Sequence, residues 1–314
     1  MSLNEISRAL LLSASRNGPL NRAATKYGLR LGARRFVAGE TLDEFVPIAR
    51  GLNARGFTIA STILGEGVTS EAEARSVVAE YRTLLDRIAA EGLRANVALK
   101  LTHLGLALDE RLAEQNIREL VELARLRGNF VRIDMEESWH VDATLRLYRG
   151  LRESGFENVG VVLQAYLYRT EADLAALLPL RPNLRLVKGA YLEAPSVAYA
   201  RKADVDAAYE RIIDLALGGG AVGGAVYCGV ATHDEDAIAH TIAWTRANHI
   251  QPGDRFEFQM LYGVRPKLQA RLIAEGYPVR VALPFGRSWF PFFMRRLAER
   301  PANVAFVLGS MLRG

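Results

Sequence analysis

The sequence predicts an α/β fold, a (β/α)8 TIM-like barrel with extra N-terminal helices, and three observations carry that prediction. Short apolar runs of strand character alternate eight times with amphipathic stretches from residue 57 onward, at roughly the thirty-residue spacing that a βα unit needs. The runs do not alternate strictly between apolar and polar, as expected for strands covered by protein on both faces. Polar and charged residues gather just after the runs, at the end where barrels of this kind build their sites. A doubly wound open sheet is the competing architecture. Against it, no Gly-x-Gly-x-x-Gly follows the first run, and the glycine cluster at 218–224 precedes a strand instead of opening a helix.

Taken in order, residues 1–56 read as a helical segment packing on the barrel at 57–314. Ser2-Leu3-Asn4-Glu5 and Thr41-Leu42-Asp43-Glu44 are capping-box patterns, and Asn17-Gly18-Pro19 separates the first helix from the second. The first helix, 6–14, carries Ile6, Leu10, Leu11 and Leu12, a broad apolar surface suited to packing on the body or to touching a membrane. The first strand is expected at 57–64, with a helix at 70–90 opened by Ser70-Glu71-Ala72-Glu73. Further strands at 96–101, 130–134, 159–166 and 184–188 are followed by helices at 109–127, 141–154, 171–178 and 198–217. The last strands, 225–231, 255–260 and 279–284, lead into helices at 235–248, 267–275 and 289–299.

Half of the 314 residues are hydrophobic and a quarter charged, enough for a large core and against disorder. The lone cysteine, Cys228, can form no internal disulfide and fits a reducing cytoplasm. The apolar runs are too short and interrupted to span a bilayer, and the N-terminus lacks the plan of a signal peptide. A cytoplasmic chain, soluble or peripheral on a membrane, is therefore expected. The net charge of +5 raises nucleic acid, acidic lipid and anionic ligands as partners. Because the arginines are interspersed with carboxylates, as at 71–87, and lack interleaved aromatics, specific nucleic-acid binding is not expected.

The strand ends present Glu66, then Lys100 and His103, then Asp134 with Glu136 and Glu137. Gln164 and Tyr166 follow, then Arg185 and Lys188 with Gly189, Ala190 and Tyr191, then Thr232-His233-Asp234 and Gln259. The last helix adds Arg295, Arg296 and Glu299, which can face the mouth only if that helix lies against it. Lys100, Arg295 and Arg296 would supply cations for a carboxylate or phosphate. Metal ligation finds no His-Glu-x-x-His pattern among His103, His140, His233, His240 and His249, and a Ser/His/Asp hydrolase finds no Gly-x-Ser-x-Gly. Lys188 at a strand end would also suit a Schiff-base aldolase.

The residues resemble the proline dehydrogenase family. The resemblance rests on Val97-Ala98-Leu99-Lys100-Leu101, Arg132-Ile133-Asp134-Met135-Glu136, Leu163-Gln164-Ala165-Tyr166 and Arg185-Leu186-Val187-Lys188-Gly189-Ala190-Tyr191. Ala231-Thr232-His233, Phe256-Glu257-Phe258-Gln259-Met260 and Arg295-Arg296-Leu297-Ala298-Glu299 complete it, all in family order. It implies non-covalent FAD at the strand ends and oxidation of L-proline to Δ1-pyrroline-5-carboxylate, with hydride passing from proline C5 to flavin N5. Electrons would go on to a membrane quinone, with peripheral contact at the inner face of the cell membrane. By the same resemblance Arg185 lies near flavin N5. Lys188, Gly189, Ala190, Gln164, Thr232, His233 and Gln259 follow the cofactor. Lys100, Arg295 and Arg296 hold the substrate carboxylate, Glu299 accepts from the ring amine, Asp134 orients the cations, and Tyr191 and Leu186 pack by the ring. Glu66 is expected to pair with Arg295 when ligand is bound.

One position departs from the family pattern. A tyrosine commonly stands two residues before the strand proline, here Pro284, and this chain has Ala282 there. The extra room would admit 4-hydroxyproline or another larger cyclic amino acid, unless a nearby ring such as Phe285 fills it.

Overall fold

In the computed structural model, which describes residues 33–219, 226–290 and 292, eight parallel strands close into a barrel in chain order. They are β1 (Thr58–Ile63), β2 (Ala95–Leu99), β3 (Val131–Ile133), β4 (Val159–Gln164), β5 (Asn183–Val187), β6 (Tyr227–Ala231), β7 (Phe256–Leu261) and β8 (Val279–Phe285). β8 closes on β1 from Thr58 beside Arg280 to Ile63 beside Phe285. Helix α1 (Leu42–Ala54) precedes the barrel. Helices α2 (Glu71–Ala90), α3 (Glu110–Leu126), α4 (Val141–Glu153), α5 (Thr170–Leu177), α6 (Lys202–Gly218), α7 (Glu235–Ala247) and α8 (Pro266–Ala274) follow β1 to β7 in turn.

The strands alternate, but between two kinds of interior. Val97, Leu99, Val131, Ile133, Val161, Leu184, Leu186, Val230, Phe256 and Phe258 are fully buried in the apolar shell shared with the helices, which is where most of the hydrophobic stabilisation resides. Residues of the other parity hydrogen-bond across the barrel: Arg132 to Asn183, Arg185 to Gln259, and Arg280 to Glu257 and Asn96. Both faces are thus largely covered by protein, which is why the sequence runs look uninterrupted although the inward positions of most strands include polar or small residues. Leu186 lies on the helix side, fully buried, so its expected place beside a substrate ring is corrected: its neighbours Arg185 and Val187 take the cleft-facing parity instead.

Two helix starts follow the capping chemistry read from sequence. Thr41 Oγ1 accepts from Glu44 N at 3.3 Å, and Ser70 Oγ accepts from Glu73 N at 3.2 Å. The helix expected at 198–217 begins later, at Lys202. Ala198 instead forms an isolated antiparallel bridge with Leu167, and Tyr199 N donates to Tyr166 O at 2.8 Å while its ring meets Tyr168 edge-on. Tertiary pairing overrides the helix-forming composition there. The helices expected before residue 33, the glycines at 220–225 and all of the last expected helix beyond Phe292 lie outside the described residues.

Helix α1 packs on β1 and β8, burying Phe45, Val46, Ala49 and Leu52. Its lead-in is pinned to β8, with Ala38 N donating to Pro284 O at 2.8 Å and Gly286 N to Gly39 O at 2.9 Å. The seam beside β8 is therefore covered by a helix that precedes the barrel. Past β8 the chain turns to the mouth: buried Trp289 donates to Glu40 Oε1 at 3.2 Å, and Ser288 and Phe292 line the cleft above the strands.

Candidate active site at the barrel mouth

The strand ends and their loops enclose a cleft of about 1220 Å3, larger than an ordinary small-molecule pocket and roomy enough for a dinucleotide with a second small ligand. Glu66, Lys100, Asp134, Gln164, Arg185, Lys188, Gly189, Ala190, Tyr191, Thr232, His233, Gln259 and Ala282 all line it. Arg295, Arg296 and Glu299 lie outside the described residues.

At the bottom of the cleft, Arg185 is nearly buried. Its Nε donates to Gln259 Oε1 at 2.6 Å and its Nη1 to Asp134 Oδ1 at 2.6 Å. Asp134 therefore orients a cation, and among the described residues that cation is Arg185. Nη2 of Arg185 is enclosed without a hydrogen-bond partner, and an unsatisfied buried donor of this kind costs about 1–3 kcal/mol. Lys100 pairs with Glu66 from the loop after β1. His103 lies one turn further on, against Gly65, where a side-chain carbon would collide with its ring. Burial, and after it the Lys100 charge, push the His103 imidazole down to about 4, so it is neutral at physiological pH.

On the opposite wall Lys188 Nζ donates to Asp206 Oδ1 of α6 and to Asp234 Oδ2 at the start of α7, each at 2.6 Å. The Lys188 hydrogen bond is the main cause holding the Asp234 carboxyl below its usual range. Burial alone would raise Asp206, and its bonds to Lys188 and Lys202 more than offset that. A Schiff-base lysine needs a bare, desolvated amine, and Lys188 is instead engaged by two carboxylates. Next to it Gly189 adopts φ +116° with the Tyr166 ring packed where a side chain would project. The glycine is thus required by Tyr166 on that side, while its backbone lines the cleft. His233 Nε2 accepts from Leu261 N at 2.9 Å, which leaves Nδ1 as the protonated nitrogen, and Arg265 donates to His233 O at 2.8 Å. Gln164 Nε2 donates to Glu136 O at 2.9 Å.

Ala282 lines the cleft, but Phe285 does not fill the space beside it. Its ring packs on Phe45 of α1, 4.9 Å between centroids. Sequence reasoning named no role for Asp206, Glu257 or Arg280. An acid on a helix face or a charged residue inside a strand has no spacing signature of its own; only the tertiary fold reveals its partner.

The residues present fit a flavin dinucleotide. A cleft of this size, an orphaned guanidinium N–H, the bare backbone of Gly189, and Lys188 and Lys202 set among carboxylates with Thr232 and His233 beside them offer a place for a flat ring system and for a dinucleotide's phosphates.

A family model described as proline dehydrogenase matches residues 46–308. The chain is 45% identical over 306 residues to proline dehydrogenase 1 of Bacillus subtilis (strain 168), covering 98% of this chain and 99% of that protein. It is 41% identical over 316 residues to the proline dehydrogenase of Deinococcus radiodurans, covering 99% and 100% respectively. Among solved structures, proline utilization A from Bdellovibrio bacteriovorus, in a form inactivated by N-propargylglycine, aligns with a TM-score of 0.81 at 25% identity. That alignment covers 94% of this chain and 36% of the longer protein. Proline utilization A from Corynebacterium freiburgense shares the fold with a TM-score of 0.76. Matched across nearly its whole length, the chain belongs to the proline dehydrogenase family, oxidoreductases that act on proline.

Proposed function

We propose that this chain binds FAD non-covalently in the mouth cleft and oxidises L-proline to Δ1-pyrroline-5-carboxylate. The observation that carries the reading is the Asp134–Arg185–Gln259 constellation at the bottom of a dinucleotide-sized cleft that Lys100 also lines. Bound FAD supplies the two-electron oxidant, so that proline gives up a hydride from C5 and a proton from its ring nitrogen. Arg185, held by two hydrogen bonds, offers a fixed positive charge where negative charge gathers on the acceptor. Lys188, Gly189, Ala190, Gln164, Thr232 and His233 hold the dinucleotide.

Lys100 takes the substrate carboxylate together with Arg295 and Arg296, while Glu299 accepts from the ring amine and Tyr191 packs over the ring. Glu66 then changes partners: the carboxylate displaces it from Lys100, and it closes on Arg295. Holding carboxylate and amine fixes C5 toward the oxidant, which converts an encounter into an oriented reaction. Electrons leave for a membrane quinone through peripheral contact with the inner face of the cell membrane. Among the described residues no helix is long and apolar enough to cross that membrane. A second reading, dehydrogenation of hydroxyproline or another larger cyclic amino acid, is favoured by Ala282, which lines the cleft while Phe285 packs on Phe45 instead of beside it.

The test is product formation. Purified protein with FAD, L-proline and an artificial electron acceptor is expected to accumulate the cyclic imine, trapped with o-aminobenzaldehyde. Acceptor reduction without imine, or neither, contradicts the reading.

A further inference from the structure

Below the cleft, the barrel interior carries two charged side chains, Glu257 and Arg280, that the reaction chemistry does not use and that connect to two that it does, Gln259 and Arg185. Glu257 on β7 is 3% exposed. Its Oε1 accepts from Gln259 Nε2 at 2.7 Å and from Arg280 Nε at 2.5 Å, and its Oε2 from Arg280 Nη2 at 3.1 Å. Gln259, with its amide nitrogen committed to Glu257, can present only its oxygen to Arg185, and Arg185 Nε donates to that oxygen at 2.6 Å.

Register explains how residues on β5 and β7 connect across an intervening strand. Arg185 stands level with Gly229, and Gly229 level with Glu257. The Gln259 side chain folds into the space over Gly229, which any side-chain carbon at that position would occupy. On the far side Arg280 Nη1 reaches Asn96 Oδ1 at 3.3 Å and Ile59 O at 3.1 Å. The line Arg185–Gln259–Glu257–Arg280 is therefore continuous, buried at Arg185, Gln259 and Glu257 and partly buried at Arg280, and it ends at the guanidinium that the proposed function sets beside the acceptor.

We infer that Glu257 and Arg280 are positioning residues that, through Gln259 and across the Gly229 gap, set the orientation and electrostatic environment of Arg185, and with it the electron affinity of the bound flavin. The inference rests on FAD occupying the cleft. A buried pair changes its field most when one charge is removed, because little solvent screens the other. Without the Glu257 charge, Arg280 stands uncompensated beneath Arg185, the local potential becomes more positive, and addition of electrons to the cofactor is favoured. Without the Arg280 charge, Glu257 is left unbalanced and the effect reverses.

The experiment is a spectroelectrochemical titration of the FAD-loaded protein with E257Q and R280Q, alongside FAD affinity measured by fluorescence quenching. E257Q is expected to move the flavin midpoint potential positive and R280Q to move it negative, each with FAD affinity within about threefold of wild type. Opposite signs are the discriminating result, since general damage to the barrel would shift both variants the same way. Should either fail to fold, N96D, which places a new negative charge beside Arg280, is expected to move the potential negative. Potentials that are unchanged, or that shift in the same sense for E257Q and R280Q, overturn the role of the pair. A wild-type protein that takes up no FAD overturns the cofactor reading, and this inference falls with it.

Discussion

His103 is the residue on which pH should act most directly. Its imidazole is buried beside Lys100 and held down to about 4 from an ordinary 6.5. The unfolded chain takes up that proton near 6.5 and the folded chain only near 4. The stability associated with a neutral His103 is thus fully present above about 6.5 and is lost as pH falls through about 4. The size of the loss is about 3 kcal/mol. Urea unfolding of H103Q between pH 7 and pH 4 is expected to show a shallower acid decline than wild type; parallel declines contradict the assignment. At this scale much was legible beforehand. Residue types at strand ends pointed to Lys100, Asp134, Arg185, Gln164 and Gln259, because a strand's last residues must emerge at one end of a barrel. Their partners were not legible: the Asp206 and Asp234 bonds to Lys188 and the Glu66 bond to Lys100 depend on which helices and loops meet, and the parity of Leu186 depends on register.

The element that contributes the largest share of the described site is β5 with the turn after it. Ala165 N and Tyr166 N from β4's end donate to Val187 O and Lys188 O, at 2.8 and 2.9 Å, and two bonds at 2.7 Å from Ser138 N and Oγ to the Glu193 carboxylate hold the following loop. Gly189 makes the bend at φ +116° with Tyr166 pressed against it. Gly189→Ala must pay for both an unfavourable backbone angle and a collision with the ring. It is expected to destabilise the protein by about 2–4 kcal/mol and to weaken FAD binding. Equilibrium unfolding and FAD titration check this, and a variant equal to wild type in both contradicts the account. Elements with strong periodicity or a capping residue were readable from sequence, as α2 behind Ser70 was. The stretch at 198–201 was not, since its alanines favour helix locally while its backbone pairs with Leu167 and Tyr166.

For the whole molecule, the barrel separates two tasks. The outward parity of the strands builds the apolar shell that stabilises the fold, and the inward parity builds a polar column that rises from Arg132 and Arg280 to Arg185 and opens into the cleft. Arg132 is 2% exposed, and that burial, with the Arg185 charge after it, lowers its guanidinium pKa to about 9, opposed in part by Glu257. The eightfold alternation made the architecture legible, whereas the column was hidden because strands buried on both faces look alike whichever face is polar. The helix behind Thr41 was expected to pack on the barrel, but that it covers the β8–β1 seam was not legible, since nothing in a capping box says which strands its helix will cover.

The central claim is that this column presents Arg185 to a flavin that L-proline reduces. It is tested most directly by the visible spectrum of the FAD-loaded protein under anaerobic conditions, with L-proline added first and trans-4-hydroxy-L-proline added to a second sample. The account predicts that L-proline bleaches the flavin band, and that hydroxyproline does so comparably if the room beside Ala282 is used. A protein that takes up no FAD, or a flavin band that L-proline leaves unchanged, contradicts it.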